Sequence, residues 1–315
     1  MRSWTGWKIW SDRIGKRGVE TMKIALKHGG LTALVDTMGG ELVSLRDAGG
    51  TEYIWDGDPA YWSGRNPILF PIVGALKDGT VRIGGKSYQM ERHGFARRME
   101  FAAAEQGGTY AELELRETAE TLARYPFPFL LRVRHEMTED GFFTEFRVTN
   151  TGTAPMPFCI GAHTAFRCPL AAGEKFEDYC LVFERPEDTR SILPGPGGCL
   201  CYDKPGPALS GTEIRLDHRI FDQVDTLIYD GLRSKTVSLR HDGTGRGVRV
   251  DFSEFPMVAF WTMPGVRAPY ICIEPWQGCA AVDNESGDFT DKPYCAVLTP
   301  GESRRLRYTV SLLGE

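Results

Sequence analysis

The chain has 315 residues, with 37 Lys and Arg against 42 Asp and Glu and a formal net charge of −5. That length can bury one large core or two modest ones, and because all-β domains often run past about 200 residues as one unit, a single domain is expected. The mild acidity argues against nucleic acid, which calls for a concentrated basic surface, but leaves room for a small neutral or phosphorylated ligand needing one or two placed cations.

Residues 1–21 carry Trp4, Trp7 and Trp10 with Arg and Lys between them, but no continuous apolar core of a signal peptide. The three-residue spacing fits a helical turn docked on a neighbour. The alternative is a disordered head, or a misplaced start, before a domain that begins at Met22, where the regular pattern MKIALKH starts. The longest clean apolar run, Ile68 to Leu76, contains Pro71 and falls far short of the ~20 residues of a membrane span. A soluble, cytoplasmic protein with no membrane partner is therefore expected.

Period-two alternation then dominates. Gly84-Gly85 between TVRI and KSYQM fits a two-residue hairpin turn, which needs positive φ. In TYAELELRE, Ala111, Leu113 and Leu115 point one way; in LLRVRHEM, Leu131, Val133, His135 and Met137 do the same. Half-buried antiparallel strands read like this, because successive side chains alternate faces. Between the two, ETAETLAR (117–124), stopped by Pro126, is the one helical candidate of any length. Thr144, Phe146 and Val148 continue the strand series, and Asn150-Thr151-Gly152 makes a turn. The Pro/Gly-rich stretch 193–207 reads as a long surface loop. Asp242-Gly243 is another turn, followed by the alternating Val248, Val250 and Phe252. Short strands, regular turns and almost no helix predict an all-β sandwich or barrel.

The 8 Cys lie at 159, 168, 180, 199, 201, 272, 279 and 295, with no Cys-x-x-Cys pair. Cys199-Leu200-Cys201 comes nearest, and its spacing is poor for zinc. Several sit in apolar strand-like runs, so buried free thiols in a reducing compartment are expected rather than disulfides.

Four polar residues interrupt apolar or glycine-rich strand ends. His163 lies in PFCIGAHTAF, and Glu274 in PYICIEPW, where alternation puts it on the face of Tyr270 and Cys272. A carboxylate ending an apolar strand is costly unless paired or used. Arg65 opens RNPILFPIVG and His93 opens HGFAR. Each has a plainer alternative: a core histidine with its hydrogen bonds met, or a surface ion pair. His135 is assigned to the core for that reason. His28 and His241, beside turn glycines, are expected to be solvated, and His218 is left open. From the residues alone, the constellation describes a sugar-sized polar site in a β-sandwich.

At these segments the chain resembles the galactose mutarotase-like superfamily, on the aldose 1-epimerase branch that includes the LacX-type proteins. The matching pieces run in order: RNPILFPIVGALKDG (65–79), HGFARRMEF (93–101), IGAHTAFRCPL (160–170), FDQVDTLIYDGLRSKTVSLR (221–240) and ICIEPWQG (271–278). The resemblance covers Met22 to the C-terminus and implies one large antiparallel β-sandwich over 22–315. It also implies cofactor-independent interconversion of the α and β anomers of a free sugar. The family's catalytic His and carboxylate fall on His163 and Glu274, and its sugar-binding Arg and His on Arg65 and His93. Its binding Asp falls on Asp225, with Asp222 close by. The segment HTAF departs from the proline that many members carry after the histidine.

The chemistry suits these residue types. Ring opening removes the C1 hydroxyl proton and protonates the ring oxygen; a carboxylate of reference pKa ~4.3 can be the base and an imidazolium near ~6.5 the acid. The sugar brings its own electrophile, so no metal or cofactor is required. Trp276 beside Glu274 reads equally as a platform for a sugar C–H face or as core packing. Arg97 and Arg98 are candidates for a phosphate in a rival hexose-6-phosphate 1-epimerase. A non-catalytic carbohydrate-binding protein is the rival of another class. A glycoside hydrolase is disfavoured, because one well-placed carboxylate is present where that chemistry uses two.

Overall fold

The computed structural model describes residues 21–314, so the expectations for Trp4, Trp7 and Trp10 lie outside the described residues. The alternating segments become strands. In Tyr110–Arg116 the residues Ala111, Leu113 and Leu115 are buried, and in Phe129–Met137 so are Leu131, Val133, His135 and Met137. Gly84 and Gly85 turn between Thr80–Ile83 and Lys86–Gln89 with φ of 56° and 78°, the left-handed values a tight hairpin demands.

Most strands join one 15-stranded sheet. Its path starts at Ile68–Leu69 and passes through Ile160–Ala162, Tyr270–Gln277, Met257–Trp261 and Thr226–Asp230. Beyond Tyr179–Pro194 it continues to Ser303–Leu313, Gly141–Asn150 and Phe129–Met137. The sheet folds over on itself. Phe70, beside the first strand, packs 5.1 Å from Phe129 near the far end. Asn66 Nδ2 donates to the Tyr308 hydroxyl at 3.4 Å across the same core. One contiguous apolar cluster fills the space between the halves, and each aromatic ring buried there contributes about 1.5–3 kcal/mol by leaving water. A three-stranded sheet, Lys23–His28, Leu31–Asp36 and Glu41–Arg46, is tied to it where His135 Nε2 meets the Gly40 carbonyl at 2.8 Å. The expected large antiparallel sandwich is the fold, and His135 is a core histidine.

Three details differ from expectation. The stretch 193–207 is mostly strand: Tyr179–Pro194 and Leu200–Arg215 form a long hairpin, turning at 195–199. Pro205 and Pro207 are tolerated because that part of Leu200–Arg215 pairs only with Tyr179–Pro194, and register shifts fall beside them near Ile192. A second helix, His218–Val224, follows Asp217, whose carboxylate accepts from the Arg219 N–H at 2.8 Å. It buries His218, which is held by Glu177 and by the Ala268 carbonyl. His241 is also engaged, its Nδ1 accepting from Gly243 N–H at 3.0 Å. The helix expected over 117–124 spans Ala119–Arg124 behind a Thr118 cap. Seven of the eight cysteines are buried thiols and Cys295 is half-buried. Among the described residues, no helix is long and apolar enough to cross a membrane.

Candidate active site

The strand Tyr270–Gln277 organises the site. Its alternate residues Ile271 and Ile273 enter the main core, while Tyr270 and Cys272 join a separate cluster with Trp55, Ala165 and Ala268. Glu274 lies on the second face. Two short strands, Ile160–Ala162 and Thr164–Arg167, pair with Tyr270–Gln277 in one register, through Gly161↔Trp276 and Thr164↔Ile273. His163 is the break between them, and the register sets it directly across from Glu274.

The two side chains meet there. His163 Nε2 lies 3.3 Å from Glu274 Oε2, and both residues are buried. The residues paired across from this face are small: Ala259 faces Glu274 on the strand Met257–Trp261, and Ala165 faces Cys272. A rim of aromatic rings packs against His163. Trp62 lies over His163 with centroids 4.9 Å apart, and Trp261 meets the imidazole edge-on at 5.6 Å. Gly64 lets Trp62 fold back there, since a Cβ at that position would overlap the indole. The Trp55 indole N–H donates to the Trp62 carbonyl at 2.8 Å and holds the loop down.

Burial governs the electrostatics. It pushes Glu274 well above the usual carboxylate range; the nearby Trp276 indole and Arg92 favour its ionised form, while Asp225 opposes it. Burial also drives His163 down to about 3, helped by the positive charges of Arg97 and Arg92. A charged imidazolium or carboxylate alone is costly in such a place. His163 Nδ1 is buried without a hydrogen-bond partner.

His93 joins the pair, its ring edge-to-face with His163 at 5.5 Å. Its backbone is left-handed, φ 66°, and it is followed by Gly94 at φ 72°. His93 Nδ1 accepts from the Gly74 N–H at 3.1 Å. Burial, then the neighbouring His163, Arg97 and Arg92, hold its pKa well below normal, so the ring is neutral and carries its proton on Nε2 as a donor. Asp225 caps the helix His218–Val224 and is close enough to act on the Glu274 charge. Asp222 is engaged elsewhere, with Arg267 at 2.9 Å and the Gly265 N–H at 2.7 Å. Arg65 lies half-buried beside the Thr164–Arg167 strand. Its carbonyl accepts from Ala165 N–H at 2.8 Å, and its guanidinium donates to the Val43 carbonyl at 3.4 Å. Trp276 is a buried member of the main core, which favours packing over a role as an open platform.

Several participants had no signal in the sequence. Trp62 and Trp261 approach from segments far apart in the chain. Glu41 is another: its Oε2 accepts from Asn66 N–H at 3.1 Å. Burial raises it to about 7, against the pull of Asn66, with Asp36 raising it further and Arg97 and Arg65 lowering it. A charged residue opening a strand is ordinary, and nothing in GGELVSL marks this one.

The family model described as "Aldose 1-epimerase" matches residues 22–311. The chromosomal protein LacX of Lactococcus lactis subsp. lactis is 37% identical over 300 residues, covering 93% of this chain and 100% of that protein. Among solved structures, a galactose mutarotase related enzyme from Lactobacillus acidophilus superposes with a TM-score of 0.87 at 30% identity, over 92% of this chain and 97% of its own. A galactose mutarotase-like protein from Lactobacillus casei gives the same TM-score of 0.87 at 30% identity, over 92% and 100%.

Proposed function

The chain belongs to the aldose 1-epimerase family, and from that premise we propose that it interconverts the α and β anomers of a free hexose by opening and reclosing the ring. The observation that carries this reading is the buried cross-strand pair, His163 Nε2 at 3.3 Å from Glu274 Oε2. Opening the ring needs one group that takes a proton and one that gives a proton, held together.

Reference pKa values would make Glu274 the base and imidazolium the acid. Burial redistributes the charge without changing the proton count. Burial pushes the carboxyl up and the imidazole down, which favours Glu274 as the holder of the pair's one proton. One member gives that proton to the sugar while the other accepts one from it. After the C1–C2 bond rotates, reclosure on the other aldehyde face runs the transfers in reverse and restores the pair. His93, Arg65 and Asp225 bind and orient the hydroxyls. The His93 Nε2–H stabilises charge building on an oxygen, and the aromatic rim excludes water.

The test is anomer exchange, by polarimetry or NMR, on freshly dissolved aldohexoses and their 6-phosphates. Saturable acceleration supports the proposal; sugar binding with no acceleration would leave a binding protein. The 6-phosphate reading has one observation in its favour, that Arg92 and Arg97 are near enough to depress His163. A kcat/KM higher for the phosphorylated sugars would decide for it.

The pH profile is expected to distinguish the two proton placements. With the proton on Glu274, activity holds through neutral pH. It falls in acid as His163 becomes protonated, and in alkali as Glu274 loses the shared proton. Decay beginning near pH ~6.5, the reference value for imidazole, would put the working proton on an unshifted His163. Arg65→Ala is expected to raise KM about 10-fold, ~1.4 kcal/mol of binding, with the melting temperature little changed. An unchanged KM would remove Arg65 from the site.

A further inference from the structure

Cys272 shares the face of Glu274, and ring opening makes no use of its thiol. It stands two positions before Glu274 on the strand Tyr270–Gln277, and is fully buried. Its Sγ, a ring nitrogen of His163 and a carboxylate oxygen of Glu274 all lie within 4.8 Å of one another. His163 and Glu274 are already 3.3 Å apart, close to the roughly 3.3 Å edge of a tetrahedron with ~2.0–2.1 Å metal–ligand bonds. The sulfur is the third donor atom of the cluster.

We propose that His163, Cys272 and Glu274 form a binding site for a borderline-soft divalent transition metal, with Zn²⁺ the natural case, that blocks the acid–base pair when filled. The donor set selects the ion. One imidazole nitrogen and one thiolate favour zinc over magnesium or calcium, which take oxygen ligands. Charge favours it too. Thiolate, carboxylate and neutral imidazole around a 2+ ion sum to zero, the arrangement a buried site accepts most readily. Binding displaces one proton from Cys272 and one from Glu274 to solvent, as metal coordination does for thiols and carboxyls generally. Three protein ligands leave the fourth position to water or a sugar oxygen. Metal binding stands on this geometry alone; the inhibition rests on the epimerase reading above.

The experiment uses the full-length protein freed of metal by chelation and titrated with Co²⁺, then Zn²⁺. The expected result is a thiolate-to-cobalt charge-transfer band with the intense visible bands of a four-coordinate ion, lost when Zn²⁺ displaces Co²⁺. Cys272→Ser and Cys272→Ala should abolish the charge-transfer band. They should also weaken Zn²⁺ binding by more than the roughly 10–100-fold that loss of a merely supporting group costs. In wild type, Zn²⁺ should stop anomer exchange, and in the Cys272 variants it should do so only at correspondingly higher concentration. A cobalt spectrum without the thiolate band, or equal Zn²⁺ affinity in wild type and both variants, would overturn the site. A thiolate band in a protein that exchanges no anomers would uphold the metal site and refute the epimerase reading instead.

Discussion

Replacing Glu274 with Gln, or His163 with Asn, is expected to lower kcat by about 10²–10⁴-fold, the usual contribution of a positioned acid or base. Glu274→Gln keeps the size of the side chain, and His163→Asn keeps a smaller hydrogen-bonding one. Neither empties the pocket of polar groups, and KM should move far less than kcat. The fold should survive, because the native pair is held as two buried groups sharing one proton, and an amide in place of a protonated carboxyl leaves no buried charge. The diagnostic quantity is the double variant. Two residues passing one proton between them act as a unit, so losing the second partner should cost little beyond losing the first. Anomer exchange measured for all four proteins closes the cycle. Additive losses would mean independent roles, and a near-wild-type rate in either single variant would exclude the pair as the catalytic machinery.

The parts of the fold that could be read from sequence were those set by local periodicity. Ala111, Leu113 and Leu115 alternate because a strand has a two-residue period, and burial follows that period residue by residue. The same rule separates Glu274 from Ile271 and Ile273 before any tertiary contact is known. The residue types at the site were legible as polar interruptions of apolar strands. Their meeting was not: the His163–Glu274 contact follows from a register shared by two short strands on one long one, and no local pattern encodes it. Trp62 over His163 depends on a glycine whose missing Cβ admits the indole, again invisible from spacing. Proline in 193–207 suggested a loop because it cannot donate, but an edge strand does not need the donor. The helix His218–Val224 was missed because its seven residues carry too little periodicity to stand out. Reference pKa values placed the proton on His163, whereas burial, which no composition conveys, favours Glu274.

His93→Ala is expected to lower kcat by about 10²–10³-fold, the usual loss when one preorganised donor to a developing oxygen charge is removed. The reason lies in how the ring is held. Nδ1 accepts from Gly74 N–H at 3.1 Å, and burial keeps the ring neutral, so Nε2 carries the proton without any change in ionisation. Such a donor needs no reorganisation as charge builds up, and the loss on removing it should be the same across neutral and mildly acidic pH. The backbone complicates the alanine variant, because His93 has a φ of 66°. Histidine visits the left-handed region more readily than alanine does, and Gly74 N–H loses its acceptor as well. Asn resolves the ambiguity. It tolerates left-handed φ far better than most residues and retains an amide N–H₂ donor. His93→Asn should therefore melt close to wild type and recover part of the lost rate, while His93→Ala should lose both stability and kcat. If His93→Asn restores the melting temperature and kcat is unaffected in both variants, the histidine serves the turn, and the donor to the sugar must be sought elsewhere.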